Sequence, residues 1–391
     1  GLGKTVQALA WLLYMKHAEP DGGPALVVCP ASVMHNWRDE AARFAPSLRV
    51  LVLASGEERH VLRREVPDHD LVITNYALLR RDREHWSEIP LRVAILDEAQ
   101  NIKNPDAVVT RAALQRHDRH DAPPWTRRLL AARLRPLLLR RLKQQVATDL
   151  PPRIEESREC EMTPGQRKLY VAELVRGREI VDRLVPEGGD PKRHHIEILA
   201  LLTRLRQICC HPALAGGRAE LGSGKFDELF AVLDPLLAEG HKVLVFSQFV
   251  ECLKLIEVAM EERGIRRHVL TGSTTRRDRV VAAFEQDPEP CVFLISLKAG
   301  GTGLNLTAAS YVVLFDPWWN PAVEAQAIDR THRIGQTRTV IAYRLISQGT
   351  VEERIWELQQ RKSALAKGIL EEGSFARSLT RADLRFLLAG E

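Results

Sequence analysis

The chain has 391 residues, 45% of them hydrophobic, and a net charge of +5. That length allows two or three domains with sizeable cores, and the mild basic excess permits a polyanionic partner without requiring one. No apolar run reaches membrane-spanning length and no signal peptide is expected, which sets aside membrane-embedded classes. The six scattered cysteines fit a reducing compartment rather than a disulfide scaffold.

The sequence opens with Gly1-Leu2-Gly3-Lys4-Thr5, followed by a helical pattern from Val6 to His17. Gly-Lys-Thr entering a helix is the second half of a phosphate-binding loop, although an ordinary Gly-rich turn shares the spelling. In the first reading backbone N–H groups and the helix N-terminus hold phosphates, Lys4 reaches the outer ones and the Thr5 hydroxyl is placed for Mg²⁺. A chain that starts without Met and inside such a loop reads as a fragment, with the first half of the loop upstream. Short apolar runs at Ala25 to Cys29, Arg49 to Leu53, Leu71 to Thr74 and Leu91 to Leu96 predict strands, and Ser32 is placed to cap the helix carrying Trp37 and Phe44. The last strand ends in Asp97-Glu98-Ala99-Gln100. A carboxylate pair at the C-terminal end of a buried strand is where an α/β sheet presents ligands, so Asp97 is expected to hold Mg²⁺ through water and Glu98 to polarise the attacking water. The plain alternative is an acidic loop after a core strand. Pro105 opens a helix to about Leu114, so residues 1–114 read as a parallel-sheet, ATP-binding lobe.

Residues 115–240 read as a helical protrusion and linker. A polar loop from Gln115 to Pro124 precedes helical patterns at Trp125 to Arg135, Gln166 to Leu184, His194 to Cys210 and Lys225 to Glu239. The densest basic patch runs from Arg127 to Lys143. Cys209-Cys210-His211 lacks the spacing of metal ligands, which favours core packing at a helix end. Alternation of strand and helix resumes over residues 241–348, with strands at Lys242 to Phe246, Arg267 to Leu270, Cys291 to Ile295, Tyr311 to Phe315 and Val340 to Arg344. A helix from Pro321 to Thr331 feeds the stretch Gln326 to Gln336. On a helix Gln326, Arg330 and Arg333 share one face, a fork that suits a polyphosphate, against the alternative of a solvated helix end. Residues 349–391 read as a long charged helix, Val351 to Leu370, and a tail.

Together these residues resemble the SWI/SNF-type ATPases, double-stranded-DNA translocases of helicase superfamily II, over nearly the whole chain. The resemblance rests on Gly1 to Thr5, Val28 to Ser32 with Asn36-Trp37, Ile73 to Tyr76, Asp97 to Asn104 and Leu138 to Arg141 with Asp149 to Pro152. In the second half it rests on Val245 to Phe249, Leu270 to Ser273, Ser296 to Leu306, Asp316 to Pro321 and Gln326 to Gln336. The wording Lys-Ala-Gly-Gly-Thr-Gly is similar to the bacterial branch. The resemblance implies two RecA-like lobes with a helical insertion and a C-terminal brace helix, in a bacterial, cytoplasmic, nucleoid-associated protein. It implies ATP and Mg²⁺ as cofactors, with Gly1, Gly3, Lys4, Thr5 and Gly303 at the nucleotide. It makes Arg330 and Arg333 arginine fingers acting across a cleft, with Gln326 beside them. Thr74, Asn75, Ser247, Gln248, Lys298 and Thr302 are then expected to grip duplex DNA, without sequence preference, so that DNA-bound proteins such as polymerase are displaced. The oligomeric state is left open, as is the choice between a tight turn and a site for Gly300 to Gly303. For Trp318-Trp319 packing is favoured over base stacking.

One departure from the family stands out. Between Gln100 and Arg140 the family carries a further strand ending in a Thr-Gly-Thr-Pro-like motif, and here only a loop and one helix follow Leu114. Losing a central strand exposes apolar edges and unpaired backbone groups, so this 391-residue chain is expected to have little ATPase activity of its own while the intact parent has it. An inert nucleic-acid-binding fragment and a strand-separating or RNA-dependent helicase are the competing readings.

Overall fold

The computed structural model describes residues 4–20, 22–56, 59–99, 150–185, 191–300, 304–333, 335–363 and 379–389. The chain divides into two compact units, Gly1–Thr148 and Asp149–Glu391.

The first unit runs α1 (Lys4–Ala18), β1 (Ala25–Cys29), α2 (Met34–Phe44), β2 (Val50–Val52), α3 (Arg59–Leu62), β3 (Leu71–Asn75), α4 (Tyr76–Arg81), α5 (Arg83–Glu88) and β4 (Val93–Leu96). Its four strands are all parallel, in the order β2-β3-β1-β4. β1 and β3 are buried along their whole length, which is why they read as unbroken apolar runs. Successive side chains of β1 enter opposite layers. Ala25, Val27 and Cys29 pack with Leu9, Leu12 and Trp37, whereas Leu26 and Val28 pack with Tyr76, Leu79 and Trp86. α2 starts at Met34 after a 3₁₀ turn, Ala31–Val33, with Val33 at its N-cap and no side-chain cap bond there; the side chain of Ser32, expected to cap this helix, lies outside the described residues. β4 ends the strand order, and no described strand flanks its outer side. Its residues are half-buried or exposed where those of β1 are buried.

α1 is tied at its last turn, where Lys16 Nζ donates to Ser47 O at 3.0 Å and to Asp70 Oδ2 at 2.8 Å. Asp70 immediately precedes β3, so α1 runs antiparallel to the strands it covers. This carries Lys4 and Thr5 toward the edge at which the strands end.

The second unit contains β5 (Arg153–Cys160), α6 (Pro164–Leu184), α7 (His195–Cys210), α8 (Gly224–Ala238), β6 (Val243–Ser247), α9 (Val250–Glu262), β7 (Arg267–Leu270), α10 (Arg277–Gln286), β8 (Val292–Ser296), α11 (Leu297–Gly300), β9 (Tyr311–Leu314), α12 (Pro321–Ile328), β10 (Val340–Ser347), α13 (Val351–Ser363) and α14 (Arg381–Leu387). Six parallel strands form one sheet in the order β5-β10-β9-β6-β8-β7. β5 is absent from the sequence reading. Arg-Ile-Glu-Glu-Ser-Arg-Glu-Cys has no apolar run, and it forms a strand because it needs to cover only one edge of β10, with most of its side chains in solvent.

α6 opens with a reciprocal cap, the Thr163 hydroxyl accepting from Gln166 N–H and the Gln166 side chain accepting from Thr163 N–H. The end of α7 is core. Cys209 and Cys210 are fully buried in two adjoining apolar clusters, and His211 Nδ1 accepts from Ala213 N–H at 3.2 Å. α13 and α14 close the same cluster through Ile355, Leu358, Leu384 and Leu387 against Leu205. The extension of α13 to Leu370, the helix Pro105 to Leu114 and the basic stretch Arg127 to Lys143 lie outside the described residues.

Candidate active site

Lys4 is the first residue of α1 and is exposed, with Thr5 half-buried behind it. The first turn of a helix presents N–H groups without intrahelical partners and a partial positive charge, which together favour phosphate. Gly1 and Gly3 lie outside the described residues.

At the same edge of the sheet Asp97 follows β4. Its N–H donates to Val28 O at 2.9 Å and its carbonyl accepts from Tyr76 Oη at 2.7 Å, fixing the backbone. Asp97 Oδ2 accepts from Trp37 Nε1 at 2.9 Å, and Oδ1 accepts from Glu98 N–H at 2.9 Å. Both of these donors are neutral. Burial, reinforced by the Asp97 charge, pushes the Cys29 thiol and the Tyr76 phenol each up to about 12. Each carboxylate oxygen keeps lone pairs beyond its one bond, so Asp97, with the Thr5 hydroxyl, fits a water-bound Mg²⁺. Glu98 has φ +50°, a left-handed conformation that costs a side-chain-bearing residue about 1 kcal/mol. Such strain is characteristic of functional turns.

Thr74 and Asn75 are turned inward. The Thr74 hydroxyl donates to Leu53 O at 3.4 Å, and Asn75 Oδ1 caps α4 by accepting from Leu78 N–H at 3.0 Å. Both side chains are buried in this structure. The reason is that the strand end must satisfy its own backbone before it can serve a ligand.

In the second unit the expected helix through Arg330 and Arg333 is corrected. α12 stops at Ile328, so Gln326 lies on the helix and the two arginines on the turns that follow. The Ile328 carbonyl accepts from the Thr331 hydroxyl at 2.7 Å and from the N–H groups of Thr331 and His332, which closes the helix. Gln336 then stitches the segment. Its Nε2 donates to Ala309 O at 2.9 Å, Thr307 O at 3.2 Å and Thr331 O at 3.3 Å, while its Oε1 accepts from Thr337 and Arg338 N–H at 3.0 Å each. Arg330 is buried and its carbonyl accepts from Leu306 N–H, whereas Arg333 is half-buried. The arginines are therefore held by a cross-linked turn rather than by helical periodicity, a role for Gln336 that spacing does not reveal.

A third group lies where β6, β8 and β9 end. Ser247 and Ser296 are register partners at the ends of β6 and β8, and Asp316 follows β9. Ser247 is fully buried with its hydroxyl on Asp316 Oδ1. Gln248 is half-buried and its Nε2 has no acceptor among the described residues. The side chain of Lys298, and all of Thr302 and Gly303, lie outside the described residues. Trp318 and Trp319 are buried in apolar clusters, the packing role favoured from sequence. His268, Asp287 and Cys291 also converge, but Asp287 already accepts from His268 Nε2, Arg266 and Glu289 N–H, which makes the group an ion-paired turn.

Comparison with known proteins accounts for this arrangement. The SNF2-related domain matches residues 1–122 and 124–214, and the helicase conserved C-terminal domain matches residues 224–335. An uncharacterized ATP-dependent helicase of Mycoplasma pneumoniae is 32% identical over 430 aligned positions, covering 98% of this chain and 41% of the relative. YwqA of Bacillus subtilis, whose name calls it an ATP-dependent helicase/translocase, is 33% identical over 444 positions, covering 99% and 47%. The chain therefore spans less than half the length of these relatives. Both alignments exceed its 391 residues, so the relatives carry residues with no counterpart here, and the domain match breaks at residue 123, outside the described residues. The Sulfolobus solfataricus SWI2/SNF2 ATPase core, solved in complex with dsDNA, is 31% identical with a TM-score of 0.53, covering all of this chain and 91% of that one. Two all-parallel α/β sheets that each end in charged turns match the solved SWI2/SNF2 ATPase core, and the chain belongs to the SNF2-related, SWI/SNF-type family of ATP-dependent helicases.

Proposed function

We propose that this protein hydrolyses ATP and uses the energy to move along double-stranded DNA, dislodging proteins bound there, in the bacterial cytoplasm at the nucleoid. The observation that carries the reading is Asp97, held by Trp37 at the sheet edge toward which the N-terminus of α1 brings Lys4 and Thr5. Lys4 binds the outer phosphates and Glu98 orients and polarises the attacking water. Thr5 and Asp97 hold Mg²⁺, which when bound neutralises phosphate charge. Arg330 and Arg333 supply further positive charge to the transferring phosphoryl group, with Gln326 assisting. Support for duplex DNA comes from the likeness to the Sulfolobus core solved with dsDNA. Contacts of this kind fall on the phosphate backbone, so binding is independent of sequence and weakens steeply with salt.

ATP turnover by the full-length product of the gene, measured with and without duplex DNA, tests the proposal. DNA accelerates turnover and Lys4→Ala abolishes it; equal rates with and without DNA overturn the reading. A second reading is favoured by the lack of a described strand on the outer side of β4 and by the interrupted domain match. In it the 391-residue chain binds duplex DNA in a salt-dependent way without turnover, and measurable hydrolysis by that chain alone excludes it.

A further inference from the structure

Arg206 is among the largest fully buried side chains of the molecule, and no backbone requirement of α7 calls for a charge there. Its guanidinium lies 3.6 Å from Asp316 Oδ2, with both side chains wholly excluded from solvent. Nη2 also donates to Pro317 O. The flat faces of the group meet aromatic rings, Trp319 at 4.8 Å and Phe249 at 5.7 Å, and Nε and Nη1 have no hydrogen-bond acceptor among the described residues. A buried ion pair of this kind contributes little net stability over an apolar pair of the same size, because desolvation cancels the attraction. What it does supply is direction.

The direction is set by the other side of Asp316. Its Oδ1 accepts from the Ser247 hydroxyl, and the carboxylate accepts from Gln248 N–H at 3.2 and 3.4 Å. The Ser247 oxygen in turn accepts from Phe249 N–H at 3.1 Å. Asp316 thus anchors the turn from β6 into α9, and Arg206 is its partner among the described ion pairs, with the buried Lys225 ammonium also favouring its charge. Burial pushes the Asp316 carboxyl up, and Arg206 and Ser247 pull it back toward the charged form.

We propose that Arg206 is a positioning residue for DNA engagement: through Asp316 it sets the Ser247–Gln248–Phe249 turn so that Gln248 is presented to the DNA backbone. This rests on the reading that the turn faces DNA. Arg206 touches neither nucleotide nor nucleic acid. Its effect is on affinity for DNA, not on the chemistry of ATP.

Binding of a fluorescein-labelled duplex by the full chain, followed by anisotropy alongside urea unfolding, tests the role. Arg206→Met weakens DNA affinity about tenfold or more. Adding Asp316→Asn restores affinity to within about twofold of the original, because the amide oxygen still accepts from Ser247 and Gln248 while no buried charge is left alone. Leu205→Ala, a neighbouring core change, lowers stability without altering affinity. If Arg206→Met fails to fold, Arg206→Lys serves, since an ammonium cannot both stack between the rings and bond Asp316 and Pro317, and it too weakens binding. Three results overturn the role: unchanged affinity in the folded Arg206 variant, no recovery in the double variant, or an equal loss in Leu205→Ala. Gln248→Ala separates the two claims. Undiminished binding there overturns the reading that this turn meets DNA, whereas weakened binding there with normal binding by the Arg206 variant overturns the positioning role alone.

Discussion

Trp37 Nε1 donates to Asp97 Oδ2 at 2.9 Å, so a helix before β2 fixes a carboxylate sixty residues away at the end of β4. Trp37 is also core, 3% exposed, which lets Trp37→Phe remove the donor while keeping most of the apolar contact. A hydrogen bond to a charged group contributes about 2 kcal/mol. Turnover by the full-length protein should fall roughly tenfold or more, with a loss of stability no larger than that one bond. Steady-state ATPase assays and urea unfolding of the same preparation check both halves.

Arg330 and Arg333 differ in burial, and their substitutions should differ in kind. Arg333→Ala lowers ATP turnover by roughly 10³-fold while leaving stability intact, if it acts as a finger on the transferring phosphate. Arg330→Ala lowers turnover too, but it also removes a buried side chain, leaving a cavity in the turn, and lowers the melting temperature. Comparing kcat with the melting temperature for each variant distinguishes a chemical role from a structural one.

Lys225 and Glu352 form a second ion pair with both side chains wholly buried, 2.6 Å apart, joining α8 to α13. Burial lowers the affinity of Lys225 for its proton, yet Glu352 and neighbouring thiols outweigh this and hold the ammonium above its ordinary range. Lys225 Nζ donates to Phe315 O and Glu352 Oε2 accepts from Ser347 N–H, so each partner has a further bond to lose. Lys225→Met alone should destabilise the second unit by about 3–5 kcal/mol, by stranding a carboxylate. Lys225→Met with Glu352→Gln should recover more than half of that loss in equilibrium unfolding.

Asp70 gives the first unit an acid-sensitive clasp. Burial pushes its carboxyl up, but hydrogen bonds from Lys16 and Arg49 outweigh burial and hold it at about 2, below the ordinary 3.8. A depressed carboxylate contributes stability that is full above 3.8 and is lost as pH falls from there through about 2. The contribution is about 2 kcal/mol at neutral pH. Lys16→Met should flatten this part of the stability-against-pH curve, read by urea unfolding at stepped pH.

The apolar strands were legible in sequence because both faces of a parallel sheet are covered. Val243 to Phe246 and Ala25 to Cys29 sit within a residue of where their composition puts them. β5 was not, since an edge strand with solvated side chains has no hydrophobic period to detect. The reach of α12 was overestimated because charge spacing continues past Ile328, while what ends the helix is hydrogen bonding by Thr331 and Gln336. The candidate residues Asp97 and Glu98 were legible from the strand that precedes them. Their supports, Trp37, Tyr76 and Val28, come together only through the register of β1 between β3 and β4.

β10 lies between β5 and β9, and its eight residues pair with a strand that begins at Arg153. During synthesis, Arg153–Cys160 leaves the ribosome long before Val340–Ser347, and it has no other neighbour in the sheet to meet while it waits. Closure of the second unit is thus a late event governed by a contact of very long sequence separation, which slows folding and prolongs exposure to chaperones and proteases. A ribosome that stalls before Val340 leaves a product with β5 unmatched and one side of β9 bare, so quality control of the second unit is decided only once β10 has emerged.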